Sequence, residues 1–284
     1  MTVAASNPQG RPAGAIMRTS LCGRGTNALF SEASTNFFQN TMAVSNDALY
    51  FVAYGPGDDL TQPLLRVPLG GGPSSILVSG YVPMSVGLDS TNLYWADGQA
   101  KTLMKLPLAG GTPVPLSESL GGDAIPQSLV VDPTGLYFWA STLGIERLPL
   151  GGGDTALLAA SKDGVTDLAV SGGYVYWTSR SYEGSNPSGI MSVPVTGGTP
   201  TILSSDPAMG IAADGINVYW TVSLCGQYDQ GQPCTGALKK MALGGGAPVT
   251  LTSGWSFQGF SAIAVDSTSI YWTSGDTVMR WTPK

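Results

Sequence analysis

Apolar positions in this chain come in short runs of strand length, and one arrangement of them returns six times. It is an apolar step, a turn, then Tyr followed by a second aromatic. The six copies are Val44-Ser45…Tyr50-Phe51, Leu88-Asp89…Tyr94-Trp95, Val131-Asp132…Tyr137-Phe138, Val170-Ser171…Tyr176-Trp177, Ala213-Asp214…Tyr219-Trp220 and Val265-Asp266…Tyr271-Trp272. The tyrosines lie 44, 43, 39, 43 and 52 residues apart. The fifth unit shows the elements this pattern predicts. Gly210–Asp214 reads as a short inner strand A, and Asn217–Thr221 as strand B. Ala237–Leu243, which alternates in part, reads as strand C, and Pro248–Leu251 as strand D. All are short and rich in β-branched or aromatic residues, as sheet strands require.

Each turn carries its own chemistry. Five residues before each Tyr stands a short acceptor, Ser45, Asp89, Asp132, Ser171, Asp214 or Asp266, able to hold N–H groups two residues on. Between C and D stand paired glycines, at 70–71, 110–111, 151–152, 197–198 and 244–245, read here as two-residue hairpins at positive φ. Pro68, Pro107, Pro149 and Pro194 precede four of them and predict where strand C stops pairing.

A strand-rich repeat of about 40 residues is the mark of a β-propeller blade. The expectation is an all-β, six-bladed propeller in one domain over 1–284, with blades at about 41–83, 84–126, 127–166, 167–208, 209–260 and 261–284. The last unit ends after strand C. The stretch Thr26–Ser31 resembles a D strand, so N-terminal strands within about 14–33 are expected to complete the last blade and close the ring. Ala15–Leu21 resembles a surplus strand C, and seven blades are the alternative.

Composition narrows the function. Gly (39) and Pro (20) are abundant and 11% of residues are charged, which suits strands and tight turns. A net charge of −6 argues against nucleic acid, and no apolar run is long enough to span a bilayer as a helix. No leader is visible at Met1. The chain has no histidine, which closes Ser-His-Asp and Cys-His nucleophiles and His-ligated metals. Cys225 and Cys234, nine apart in one Gly- and Gln-rich loop, suit a disulfide and hence an extracellular or periplasmic setting; Cys22 is left over as a thiol in a turn. No cofactor is implied. A calcium ion on channel-facing oxygens stays open, although no calcium-loop spacing occurs.

The units resemble the YWTD-type repeat of low-density-lipoprotein-receptor β-propellers. The matching residues are Ile263-Ala-Val-Asp266 with Ile270-Tyr-Trp-Thr273, and Ile211-Ala-Ala-Asp214 with Val218-Tyr-Trp-Thr221. Ser274, Val222 and Ser179 depart from the fourth motif position, and units one and three lack the Trp. The Pro-Leu-Gly-Gly turn looks more like bacterial secreted relatives. The resemblance implies six blades and a protein-binding or scaffolding role, with no catalytic residues.

The aromatic pairs read as wedge filling between blades. A recurring cation near the end of strand C, at Arg18, Arg66, Lys105, Arg147, Lys240 and Arg280, reads as a solvent-facing position that discourages edge pairing. Function is expected on the variable B–C and D–A loops. These carry Tyr54, Asp58, Asp59, Tyr81, Asp123, Arg180, Tyr182, Glu183, Tyr228, Asp229, Trp255 and Phe257 as candidate ligand-binding residues. Aromatics beside Arg suit a protein interface. The expected function is a non-enzymatic, secreted or periplasmic, monomeric scaffold for a protein partner. The alternatives are a glycan-binding propeller and a hydrolase or lyase built on Asp58, Asp59 and Asp123.

Overall fold

The runs that pattern as strands form strands. In the computed structural model, residues 2–3, 14–19, 26–32, 41–53, 62–118, 120, 123–161, 164–180, 189–223, 234–256, 262–274 and 277–284 are described. The N-terminal sheet holds β1 (Thr2–Val3), β2 (Gly14–Thr19) and β3 (Thr26–Glu32). The first repeat forms β4 (Met42–Val44), β5 (Ala48–Val52), β6 (Leu64–Pro68) and β7 (Ser75–Val78). The second forms β8 (Pro83–Leu88), β9 (Asn92–Asp97), β10 (Thr102–Pro107) and β11 (Val114–Pro115). The third forms β12 (Pro126–Asp132), β13 (Gly135–Ala140), β14 (Gly144–Leu148) and β15 (Ala156–Ala160). The fourth forms β16 (Gly164–Ser171), β17 (Tyr174–Arg180), β18 (Gly189–Pro194) and β19 (Thr201–Ser204). The fifth forms β20 (Ala208–Ala213), β21 (Asn217–Ser223), β22 (Thr235–Ala242) and β23 (Val249–Ser256). The sixth forms β24 (Ile263–Val265), β25 (Ile270–Ser274) and β26 (Thr277–Trp281).

Every repeat is an antiparallel meander whose neighbours in sequence are neighbours in the sheet. The six sheets that carry the aromatic phrase are six antiparallel blades, and the chain is an all-β, six-bladed β-propeller. It clusters as two compact units, Met1–Ser141 with Leu148–Thr155, and Thr142–Arg147 with Ala156–Lys284. The third repeat contributes to both.

The Thr26–Ser31 stretch forms a strand, β3, which pairs with β2, with Ala15 opposite Ser31 and Thr19 opposite Thr26. One expectation is corrected here. The C–D turns are longer than two residues. Six residues, 69–74, separate β6 from β7. The Gly71 N–H closes a β-turn onto the Pro68 carbonyl at 3.1 Å, and positive φ falls at Gly71 and Gly72. The prolines lie as expected: β6, β10 and β18 end on Pro68, Pro107 and Pro194.

Wedge filling by the aromatic pairs is what the blades show. Successive strand residues face opposite sides, so Tyr and its neighbour enter different wedges. In the first unit Tyr50 and Trp95 share one buried cluster. In the second, Tyr176 shares one with Trp220, and Tyr219 another with Trp272. These three wedges thus take the Tyr of one blade and the Trp of the next. Phe51 of the first blade meets Ile16 and Phe30 of the N-terminal sheet, with ring centroids 4.8 Å apart for the two phenylalanines.

Candidate functional site

The A–B turns use their carboxylates internally. The Asp89 carboxylate accepts the N–H groups of Thr91 and Asn92, both at 2.7 Å, and the Tyr94 hydroxyl at 2.6 Å. Asp214 accepts from Ile216, Asn217 and Tyr219, and Asp266 from Thr268, Ser269 and Tyr271. Ser45 accepts from Asp47 and Ala48 in the same way. Burial alone would raise the Asp89 carboxyl, but the Tyr94 hydroxyl and the two N–H groups hold it at about 2. For Asp214, burial is likewise outweighed, chiefly by the Lys284 ammonium at 2.5 Å, again to about 2. An open groove of about 470 Å³ lies between the A–B turns of the second and third blades. The carboxylates on its rim, Asp89 and Asp132, are already accepting turn donors.

Of the strand-C cations expected to face solvent, Arg18 and Arg280 are exposed, while Arg66, Lys105, Arg147 and Lys240 are half-buried. Arg66, Lys105, Lys240 and Arg280 each stand directly opposite the Tyr of their own blade. Lys105 Nζ lies 5.8 Å from the Tyr94 ring centroid and donates to the Leu150 carbonyl of the next blade. Arg18 donates to the Leu69 carbonyl at 2.5 Å, and Arg66 pairs with Asp47 at 2.8 Å.

At the opposite end of the blades lie the loops expected to carry function. Tyr54, Asp58, Asp59, Tyr182, Glu183, Tyr228, Asp229, Phe257 and Cys225 lie outside the described residues, as does the side chain of Arg180. Cys234, directly before β22, is engaged with another group. Tyr81 turns inward, its ring 5.3 Å from Trp95 in an edge-on contact. Trp255 packs on Trp272 at 5.1 Å, above the Gly236 backbone. Asp123 stands fully in solvent, 3.3 Å from Lys101. Tyr81 and Trp255 thus give part of their surface to packing, and Asp123 remains open to a ligand.

Several polar groups at this end were not among the candidates. Asp206, in the D–A connection before β20, accepts from the Trp220 indole at 3.1 Å and the Ser204 hydroxyl at 2.7 Å. It also pairs with Lys239 at 2.6 Å. Burial opposes its charge, and the Lys239 ammonium, Ser204 and Trp220 overcome it, so the carboxyl stays below its ordinary range. Asp97 is buried at the end of β9. One of its oxygens caps the Gln99 and Ala100 N–H groups, and the other has no partner among the described residues. Counting back from the innermost strands could have found Asp206. It stands four residues before Gly210, as Tyr81 stands four before Ser85, and both touch the Trp of the following strand B. Among the described residues, no three acidic or thiol side chains converge as a metal centre.

The architecture can now be set beside known proteins. The fold is a β-propeller. No protein-family model matches the chain, and no curated protein does. It is similar to solved structures, among them the nidogen/laminin complex, with TM-score 0.59 and 14% identity over 89% of this chain and 91% of that one. Oligogalacturonate lyase in complex with manganese gives 0.66 and 12% over 100% and 86%, and the computationally designed Ika8 protein 0.61 and 12% over 99% and 96%. At such identities the likeness is one of fold. One of these is a protein–protein complex and another an enzyme, so the architecture serves both roles. No helix among the described residues is long and apolar enough to cross a membrane.

Proposed function

We propose that this chain is a non-enzymatic binding propeller of YWTD type that recognises a protein partner through its B–C and D–A loops. The observation that carries the reading is the contrast between the two ends of the blades. At the A–B turns the carboxylates and phenols are consumed by turn capping. At the other end the connections differ from blade to blade and hold Asp123 in open solvent. The loop residues Tyr54, Asp58, Asp59, Tyr182, Glu183, Tyr228 and Asp229 extend that surface with aromatic and acidic groups, the mix that suits a protein interface. A Cys225–Cys234 disulfide restrains the fifth B–C loop, and the protein works outside the cytoplasm as a monomer.

The test compares two variants. One carries alanine at Asp123, Tyr182 and Tyr228; the other carries Asp132→Asn at the turn end. Partners are captured on immobilised protein from the native source and their affinity is then measured. The reading expects the loop triple to lose binding at least tenfold and Asp132→Asn to keep it. Unchanged binding by the triple refutes it, and a hit on a glycan array with no protein partner replaces it with the carbohydrate reading.

A further inference from the structure

One position of the innermost strands makes a blade-to-blade hydrogen bond at two junctions. Alignment of the repeats places Thr41, Ser85, Ser128, Asp167, Gly210 and Ala262 in a single register. At or beside it the ladder shifts in four blades, between Pro83 and Ser85, Gln127 and Val130, Val165 and Leu168, and Ala208 and Gly210. A bulge leaves an N–H without its ladder partner, and a buried N–H needs one. In the first unit, Ser85 Oγ of the second blade accepts the Leu129 N–H of the third at 2.8 Å. In the second unit, Asp167 Oδ2 of the fourth blade accepts the Ile211 N–H of the fifth at 3.0 Å. One junction uses a hydroxyl, and the other a group that titrates.

Among the described residues no ion pair reaches that carboxylate. Its other oxygen accepts the Leu168 N–H, at 2.9 Å. The surrounding network is neutral: Thr178 Oγ1 accepts the Asp167 N–H, and Thr166 Oγ1 donates to the Met209 carbonyl. The elements packed on β16 are β17 and β20. β20 has no titratable residue. β17 brings Tyr174 and Tyr176 near the A–B turn, where Tyr176 donates to the Leu243 carbonyl, and Arg180 at the other end, across from Gly164. Burial lifts the carboxyl to about 7 against the pull of the Ile211 and Leu168 N–H groups. The residue keeps partial access to solvent, which gives protons a route.

We propose that Asp167 makes the junction between the fourth and fifth blades proton-responsive, holding a neutral carboxyl in mild acid and taking up charge as the medium passes neutrality. The unfolded side chain ionises near pH 4. Between there and neutrality the folded chain holds one proton more than the unfolded one. Stability from this group is therefore greatest in mild acid, falls as pH rises toward 7 and is flat above. The unfolding equilibrium constant rises by up to tenfold per pH unit in that window.

Asp167→Ser tests this, because it copies the acceptor that Ser85 supplies and cannot titrate. Denaturant unfolding of both proteins is measured from pH 4.5 to 8.5. The ratio of wild-type to variant unfolding constants should climb at least tenfold between pH 5 and 7 and level off by pH 8. A ratio independent of pH overturns the proposal. If the variant does not fold, carboxyl carbon NMR on the intact wild-type protein decides. A resonance assigned to Asp167 that titrates near neutrality supports it, and one that titrates below pH 5 overturns it.

Discussion

The two ends of each blade are made from similar residues put to different use. At the turn end, Asp89, Asp214 and Asp266 each serve two backbone N–H groups and a Tyr hydroxyl five residues on. At the loop end, Asp97, Asp123 and Asp206 each meet a different set of partners. A repeated element can be stabilised by one local device copied from blade to blade. A surface for recognition must break the repeat. The difference teaches that repetition here marks structure, and that departures from it mark the places to look for function.

The largest test of this contrast goes through the frame. Trp220 is fully buried, and Trp220→Ala should cost about 3–5 kcal/mol in denaturant unfolding. Gly189 comes close behind. It opens β18 at a φ of 152°, and a Cβ there would lie 2.0 Å from the Ser204 carbonyl oxygen. Gly189→Ala should cost about 3 kcal/mol by the same assay, since the crowding atom is backbone and cannot step aside.

A smaller effect sharpens a difference among the blades themselves. The hydroxyls of Thr178, Thr221 and Thr273 accept the N–H of Asp167, Gly210 and Ala262, eleven residues earlier in each case. The first three blades have Val52, Ala96 and Trp139 at that place. Thr221→Val should therefore cost roughly 1–3 kcal/mol by leaving the Gly210 N–H buried and unpaired, while Val52→Thr should bring no comparable gain. Equal effects in both halves would remove the distinction.

Smaller again is the turn carboxylate. Asp89→Asn should cost about 1 kcal/mol, less than a buried charge-assisted bond because the turn is half-exposed. Its pH dependence gives the sharper reading. The folded carboxyls of Asp89, Asp214 and Asp266 are held at about 2, below their unfolded value. Their contribution is complete above about pH 4 and is lost as pH falls toward 2. An acid melt of the asparagine variants should show that loss blunted, and an unchanged acid limb contradicts the capping role. Last, Asp123→Ala should leave the melting temperature unchanged, because its pair with Lys101 is exposed to solvent. A clear drop would move Asp123 from the binding surface into the frame.

What could be read early was what is local and repeated. The Asp-to-Tyr spacing of five is one hairpin's span, so its capping role follows from the turn alone. The strand-C cations were repeated too, yet Arg66 and Lys105 are half-buried where Arg280 is exposed, because the cover over each is set by its neighbours across the sheet. The pair between Asp206 and Lys239 spans 33 residues and crosses a whole strand, so no spacing rule points to it.

Taken alone, the sequence determined the blade: its strands, its aromatic pairs and its turn carboxylates, all fixed by neighbours within a hairpin. Only the tertiary structure decided that β3 answers β2, that three wedges join one blade's Tyr to the next blade's Trp, and that Asp167 meets the Ile211 N–H. Those contacts depend on how one sheet lies against the next. That is settled by packing and by bulges in the ladder, which leave little trace in a period-two pattern.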